Sequence, residues 1–420
     1  TLQGLIRRTL ACNKDVQIAA ARIEEMAALK RIRTAALLPE LNGAVTAERE
    51  RENYRGDGAA NDDEFGVKAR LNWEIDLWGN LRWGRRQGIA EYLGTVEAER
   101  ALRMTLIAEV ARAYYELIAL DNELSIVRQT LETRKEGVHQ ARLRFEGGLT
   151  SETSYQQAQV ELATTATLIP ELERRIAVKE HEIALLAGEY PDRIARQAMD
   201  PAATMPEHLP VGLPSELLRR RPDVRRAEQA LEAAYAAVGV AYTDRFPRIQ
   251  LSAAIGVEND LLSSLFSSPY SFVSGAIAGP VFGFGKKRAR YQAQQAAYRQ
   301  ECRRYERTVL TVFKEVSDAI VTYDSSLRAS ELKRNLERAA RSYVELARLQ
   351  YLNGVINYLD VLDAQRRYFD AQIGLSNALR DQRLARVQLY KALGGGWEDA
   401  PASPCLLYTS PSPRDMRRSR

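Results

Sequence analysis

The sequence lacks any long uninterrupted run of apolar residues. Across its 420 residues, charged side chains break every candidate for the roughly 18 to 20 apolar residues that a membrane-spanning helix requires. We therefore expect no transmembrane helix, and any crossing of a bilayer would have to be made by strands.

Residues that commonly carry catalysis or bind metals are also scarce. The glycine-rich run GFGKK at 283–287 lacks the Gly-Lys-Ser/Thr arrangement of a phosphate-binding loop. The few cysteines and histidines are dispersed, without a CxxC pair or a cluster: Cys12, Cys302, Cys405, His139, His181 and His208. We expect no metal site, no cofactor and no enzymatic activity.

Charge of one sign does not dominate the chain. The formal net charge is +5, but Lys and Arg alternate with Asp and Glu along helical stretches, which is typical of solvated helix faces and not of nucleic-acid-binding surfaces.

Residues 404–420 contain PCLLYTSPSPRD, a run that resembles a translated sequencing-library adapter and has no helical or strand period. We expect these residues to be a non-native tail.

The chain repeats itself at an offset of 204 to 208 residues. Asp15 aligns with Asp223, Gly148 with Gly354, and Gly188 with Gly394. The offset predicts two tandem repeats, 1–208 and 209–397. The first is expected to hold a helix, a strand pair at about 38–78, a long helix at 82–146 and a helix at 150–188. The second is expected to hold a helix at 222–243, a strand pair at about 246–283, a long helix at 286–353 and a helix at 355–393.

The long helices are the most unusual prediction. Residues 286–353 contain neither Gly nor Pro, and a continuous helix of that length would reach roughly 100 Å. Small or apolar residues recur there at alternating steps of mostly four and three, which indicates a coiled-coil seam: Tyr298, Cys302, Tyr305, Val309, Val312, Val316, Ala319 and Tyr323.

Two of the strand regions, 64–77 and 248–258, alternate between apolar and polar residues, whereas those at 40–51 and 271–282 are less regular. From Glu64 to Leu77 the odd positions are apolar, except for the small Ala69, and the even positions are mostly charged or polar. Such alternation predicts barrel strands with one face toward lipid and one toward water, although an amphipathic sheet on a soluble core would show the same period. The predicted lipid-facing residues are Phe65, Val67, Leu71, Trp73, Ile249 and Leu251.

Four strands per chain cannot close a barrel, and open strand edges are not tolerated in lipid. The membrane interpretation therefore requires several chains. Two chains would give eight strands around a filled interior, whereas three would give twelve strands and begin to leave a lumen, which suits a polar inner face better.

Four segments carry a resemblance to a known family. LPSELLRRRPDVRRAEQAL at 213–231, RFPRIQLSAAIG at 245–256, GPVFGFGKKRARYQ at 279–292 and YLNGVINYLDVLDAQRRYFDAQ at 351–372 resemble the TolC-like outer membrane factors of drug-efflux pumps. The likeness is strongest to the lipoprotein branch that serves resistance-nodulation-division pumps, and it covers about residues 1–397.

The resemblance implies a mixed α and β membrane protein. It implies a homotrimer in which a twelve-stranded outer-membrane β-barrel continues as a periplasmic α-barrel of coiled-coil helices. It also implies a periplasmic adaptor protein and an inner-membrane pump as partners, and a cell outer membrane location in a Gram-negative bacterium. The pattern of residues 1–10 already predicts an amphipathic helix and not a signal peptide. We therefore expect the signal peptide and a lipid-bearing cysteine to be missing from this chain.

Two features are candidates for function in such a duct. Asp360 and Asp363 lie three residues apart and share a helix face, with Leu359 beside them and Arg366 one turn further. The resemblance places a periplasmic gate at these residues. Because the crowded acids would repel one another, hydrogen bonds from Arg366 or from neighbouring chains would be needed to hold them together. A plain solvated helix face remains the alternative. The resemblance also assigns adaptor contact to the two glycine-containing helical turns: Gly148, Leu149, Thr150, Ser151, Gly354, Val355, Ile356 and Asn357.

Two other classes of function compete with a passive conduit. A soluble periplasmic coiled-coil scaffold or adaptor would explain the helices but has no use for a lipid-facing band of strand residues. A hydrolase acting through Asp360 and Asp363 would need an acid and a base in different environments, which two like residues on one helix face do not provide.

Overall fold

The structure of the chain is a computed structural model that describes residues 2–52, 60–197, 214–279 and 283–395. The predicted tail at 404–420, the end of the first repeat at 198–208 and the last residues of the second strand pair at 280–282 lie outside the described residues. The repeat boundaries therefore stay a prediction.

Long helices and four strands make up the described chain. None of the helices in the described segments is both long and apolar enough to cross a bilayer. In chain order the elements are α1 Leu2–Cys12, α2 Lys14–Ala35, β1 Glu40–Glu52, β2 Ala60–Ile75, α3 Asn80–Glu146, α4 Glu152–Ala187, α5 Pro214–Arg220, α6 Pro222–Thr243, β3 Arg248–Asn259, β4 Pro269–Ala278, α7 Lys286–Leu352 and α8 Tyr358–Ala392.

The two longest helices, α3 and α7, have 67 residues each. At 1.5 Å per residue each extends roughly 100 Å, which agrees with the prediction from the sequence. Four of the predicted seam positions on α7 are buried, namely Val312, Val316, Ala319 and Tyr323. Cys302, expected on the same seam, is only half-buried. The predicted mixed chain of long helices and four strands is confirmed.

The four strands form one antiparallel sheet in the order β1-β2-β3-β4. Leu71 on β2 faces Leu41 on β1 and Ala253 on β3, and Trp73 faces Leu251. Since directly opposed residues of antiparallel strands point to the same side, the odd-numbered residues of all four strands share one face. The strand ends that face the helices in the sequence all lie at one end of the sheet, which we call the helix end. The opposite end, where β1 and β3 end and β2 and β4 begin, is the hairpin end.

The chain forms two compact units, and α3 and α7 contribute to both of them. The unit that contains the sheet comprises residues 20–98 and 223–308. In it, Trp83 of α3 lies against α6 where a side chain at Gly239 would collide with the indole ring. The side-chain amide of Asn80 donates to the carbonyl of Val240, 3.1 Å away, and so ties the start of α3 to the end of α6.

The described part of the other unit comprises residues 2–19, 99–197, 214–222 and 309–395, and its regular elements are helices. Its core is a cluster of fully buried apolar side chains from α3 and α4, including Val110, Leu117 and Ile183, with Leu5 of α1 packed among them. Burial of such side chains contributes about 1.5 to 3 kcal/mol each. Gly188 ends α4 in the left-handed conformation with φ 71°, and its backbone passes so close to Cys12 that any side chain would collide.

Candidate functional site

The first turns of α8 bury one face and expose the other. Tyr358, Val361 and Leu362 are buried in an apolar cluster with Ala141, Ala158 and Tyr351 from α3, α4 and α7. Because an α-helix turns every 3.6 residues, Leu359, Asp360 and Asp363 lie away from that cluster. Leu359 is 56% exposed and Asp360 is also exposed. The structure thus brings together three of the four predicted gate residues on one solvent-facing surface.

Both acids of this surface are held by groups of their own chain. Asp360 stands in the first turn of α8, and its carboxylate accepts a hydrogen bond from the backbone N–H of Asn357, 3.1 Å away. An acid in this position also interacts favourably with the helix dipole. Asp363 accepts a hydrogen bond from Nε of Arg367 at 2.7 Å. Each acid is therefore oriented while its face remains open to solvent.

Arg366 does not restrain these acids within the chain, contrary to the expectation from sequence. Its guanidinium donates to the carboxylate of Glu161 on α4, with 3.0 Å from Nε to Oε1. The reason is the phase of the helix, since Arg367 stands four residues after Asp363 whereas Arg366 points toward α4. Arg366 thus connects α8 to the neighbouring helical pair.

Glu161 is the centre of a buried ion network. Its carboxylate also pairs with Arg134 of α3 at 2.9 Å, and both side chains are about nine-tenths buried. Arg134 further donates to the backbone carbonyl of Glu161 at 2.7 Å and to the hydroxyl of Thr165. The network spans α3, α4 and α8, and it neutralises a cation that would otherwise be costly to bury.

The environment shifts the pKa of three groups around this network. Burial lowers the pKa of Arg134, while the charge of Glu161 acts in the opposite direction. The hydrogen bond to Glu161 raises the pKa of Arg366. Burial raises the pKa of Tyr358 to about 12, so its hydroxyl stays protonated at any physiological pH.

The two helical turns have the same backbone design. Gly148 and Gly354 adopt left-handed φ values of 70° and 74°. After each glycine the next N–H, of Leu149 or Val355, bonds back to the carbonyl five residues earlier, at 2.8 and 2.9 Å respectively. This is the glycine-terminated helix end that satisfies otherwise unpaired carbonyls. It requires glycine because other residues are strained at such φ values.

Both turns present an apolar side chain to solvent. Leu149 is 76% exposed and Val355 is 69% exposed, whereas Thr150 and Ile356 are half-buried. Ser151 and Asn357 are exposed and precede the first residues of α4 and α8. An exposed large apolar residue at the same point of each turn suits contact with another protein.

The sheet has one apolar face in the register described above. Phe65, Val67, Leu71, Trp73, Ile249 and Leu251 all lie on it. Exposure is high at other positions of this face, including Val45 at 81%, Val273 at 76% and Ile277 at 74%. The opposite face of β2 carries Lys68, Arg70 and Glu74. A contiguous exposed apolar surface of this kind marks a contact with lipid or protein.

Reasoning from sequence missed Arg134, Glu161 and Arg367. The pair of Arg366 and Glu161 joins residues that are 205 apart in the chain, and no local period indicates such a partner. The i,i+4 spacing of Asp363 and Arg367 was the one available signal.

Comparisons with known proteins give the family. The profile of the family described as "Outer membrane efflux protein" matches residues 5–189 and 213–395. The solvent efflux pump outer membrane protein SrpC of Pseudomonas putida is 35% identical over 407 residues, which cover 94% of this chain and 85% of SrpC. The cation efflux system protein CusC of Escherichia coli O6:H1 is 30% identical over 400 residues, which cover 94% and 86% of the two chains.

Solved structures agree with the sequence comparison. The outer-membrane channel OprN superimposes with a TM-score of 0.90 at 28% identity, covering 95% of this chain and 91% of OprN. The matches run through both the long helices and the sheet, and the family is one of transport channels. This chain belongs to the outer membrane efflux protein family of TolC-like channels, and its role is that of an outer-membrane efflux channel.

Proposed function

We propose that three copies of this chain form a passive conduit through the outer membrane and the periplasm of a Gram-negative bacterium. The observation that carries this proposal is the sheet, which exposes an apolar face of four strands and leaves β1 and β4 with open edges. Open edges in lipid leave backbone N–H and C=O groups without partners. Pairing β1 of one copy with β4 of the next removes them.

Three copies give twelve strands, and twelve strands leave room for a lumen. The polar residues of the opposite face, such as Lys68 and Arg70, then line water while the apolar face meets lipid. The boundaries of the two proposed sequence repeats fit this arrangement, since each repeat supplies one pair of strands and one pair of long helices.

We assign the closed gate to Leu359, Asp360 and Asp363. Their face points away from the helical core of the chain, so in a trimer around a threefold axis six carboxylates meet at the end of the tube. Carboxylates crowded around one axis repel one another and attract cations. Arg366 holds α8 to α4 through Glu161 and so keeps this face in place.

Adaptor contact is assigned to the turns at 148–151 and 354–357. Their exposed apolar residues, Leu149 and Val355, stand where the long helices reverse, so they are the ends of the helical hairpins. A periplasmic adaptor and an inner-membrane pump would complete a tripartite system, and a lipid anchor follows from the likeness to the lipoprotein branch. The relatives are named for solvent and for cation efflux, so we propose small molecules as the exported class.

The experiment is membrane fractionation followed by mass measurement of the extracted protein. We expect the chain in the outer membrane as a trimer. A monomer in the soluble periplasmic fraction would refute the proposal. Its recovery as a monomer in the outer membrane would refute only the shared barrel.

A further inference from the structure

Charge is distributed unequally between the two ends of the sheet. Acids predominate at the hairpin end, where Glu48, Glu64, Glu258 and Asp260 lie near Arg49. At the helix end, cations outnumber acids. The cations there are Arg82, Arg85, Arg86, Arg245, Arg248, Lys286, Lys287, Arg288 and Arg290, and the acids are Glu40, Glu74, Asp76, Asp244 and Glu232, the partner of Arg86.

Internal ion pairs compensate only part of this positive charge, since Arg82 pairs with Asp76 at 3.1 Å and Arg86 pairs with Glu232. The single carboxylate of Asp244 is shared by three cations, since Arg248 lies 3.3 Å and Arg290 3.5 Å away and Lys287 also pairs with it. Hydrogen bonds from Lys287 and Arg248 outweigh partial burial and lower the pKa of Asp244. Arg85, Lys286 and Arg288 are exposed and have no ion pair or hydrogen-bonded side-chain partner among the described residues.

These cations lie in the first two turns of α3 and α7. Neither helix has an acid in its first turn, although acids are favoured there by the helix dipole and cations are not. Helix stability therefore does not explain the cluster. Between α3 and α6, Arg82, Arg85 and Arg86 line a groove of about 390 Å³ together with apolar residues such as Ile89 and Leu93 and with Glu232.

Aromatic side chains lie at the same level of the chain. Trp78 is 44% exposed and stacks on Phe246 at 4.9 Å, while its indole N–H donates to the carbonyl of Pro247 at 2.8 Å. Tyr242, also 44% exposed, packs against Phe246 and against Tyr291 of α7. Trp and Tyr are enriched where a membrane surface meets water.

We propose that the helix end of the sheet is a collar that binds the phosphate groups of anionic phospholipids in the inner leaflet of the outer membrane. We define the collar as Arg82, Arg85, Arg86, Lys286 and Arg288. This inference rests on the proposed insertion of the sheet into the membrane. The apolar face continues directly into the collar, and the collar cations lie within about 9 Å of the starts of α3 and α7. That depth matches a headgroup layer, which is roughly 5 to 8 Å thick on each side of the hydrocarbon core.

The test is lipid binding by the detergent-purified protein, with bound lipids counted by native mass spectrometry. The probes are phosphatidylglycerol and, as a neutral counterpart, phosphatidylcholine. The variant carries Arg85→Gln, Lys286→Gln and Arg288→Gln. A matched control carries Arg299→Gln, Lys333→Gln and Arg348→Gln, which remove the same charge from exposed positions further along α7.

We expect the wild type and the control to prefer phosphatidylglycerol. The collar variant should bind this lipid about 100-fold more weakly, because it lacks three cations and each cation near an anionic surface contributes roughly a five-fold factor to the affinity. Raising the salt concentration should weaken the wild-type preference in the same way. Inorganic phosphate at equal concentration should not displace the lipid, since displacement would indicate a site for free phosphate. Equal binding of both lipids by the wild type, or unchanged binding by the collar variant, would overturn the collar.

Failure of the collar and failure of the proposed function give different results. An outer-membrane trimer that shows no preference for the anionic lipid refutes the collar alone. A wild-type chain that is neither inserted nor trimeric refutes both.

Discussion

Substitution of Glu161 by Gln should destabilise the helical unit far more than its single lost charge suggests. The change leaves Arg134, which is 8% exposed, as a buried cation without a charged partner. Arg134 would keep only its bonds to neutral groups, the carbonyl of residue 161 and the hydroxyl of Thr165. Removing one partner of a buried ion pair costs about 3 to 5 kcal/mol.

Two other substitutions on the same network or helix serve as comparisons for this loss of stability. Arg366→Gln removes the other partner of the Glu161 carboxylate. Because the Arg366 side chain is 54% exposed, this change should lower the free energy of unfolding by only about 0 to 1 kcal/mol. Glu171→Gln, on the same helix, breaks an exposed pair with Arg174 and should also cost no more than about 1 kcal/mol. The network therefore predicts a large loss for Glu161 and small losses for the other two.

The assay is chemical unfolding of the detergent-solubilised protein, followed by the helical circular dichroism signal. Arg366→Gln should in addition raise the resting conductance, because it frees α8 from α4 without unfolding the chain. The reasoning is refuted if Glu161→Gln is no more destabilising than Glu171→Gln, since Arg134 would then not depend on that carboxylate.

The other predictions concern the sheet and the turns. Leu71→Arg should impair membrane insertion, since a charge on the lipid face near the bilayer midplane costs about 2 to 4 kcal/mol; Arg70→Gln, on the other face, should be mild in the same assembly assay. Equal effects of the two substitutions would refute the assignment of one lipid face and one water face to this strand. Crosslinkers at Thr150 and Asn357 should capture the adaptor, whereas one at Leu261, beside the hairpin at the other end of the sheet, should not. Capture only from Leu261 would contradict the assignment of the turns.

The strands and the long helices could be predicted because they follow from local sequence patterns. Strict alternation from Glu64 to Leu77 follows from the geometry of a strand, and the structure places the odd-numbered residues of β2 on one face. The absence of Gly and Pro between 286 and 353 likewise predicted α7, whose end at Leu352 differs from the prediction by one residue. These features depend only on residues close in sequence.

Features that depend on distant residues could not be predicted in this way. Arg366 was expected to restrain Asp363 because both lie near one helix face, yet it pairs with Glu161 on another helix. Which of two adjacent arginines points toward a neighbouring helix depends on how the helices pack. The start of α8 at Tyr358, later than the predicted 355, follows from Asn357, which adopts the extended conformation of a residue preceding a helix.

Current through single channels tests the central claim most directly. In planar bilayers, divalent or trivalent cations added on the periplasmic side should block the wild-type channel, because the proposed gate brings six carboxylates from Asp360 and Asp363 together. Replacing both by Ala should weaken that block substantially while leaving folding and trimer formation intact. Unchanged block and unchanged conductance in the double variant would place the gate elsewhere and return the two acids to an ordinary solvated helix face.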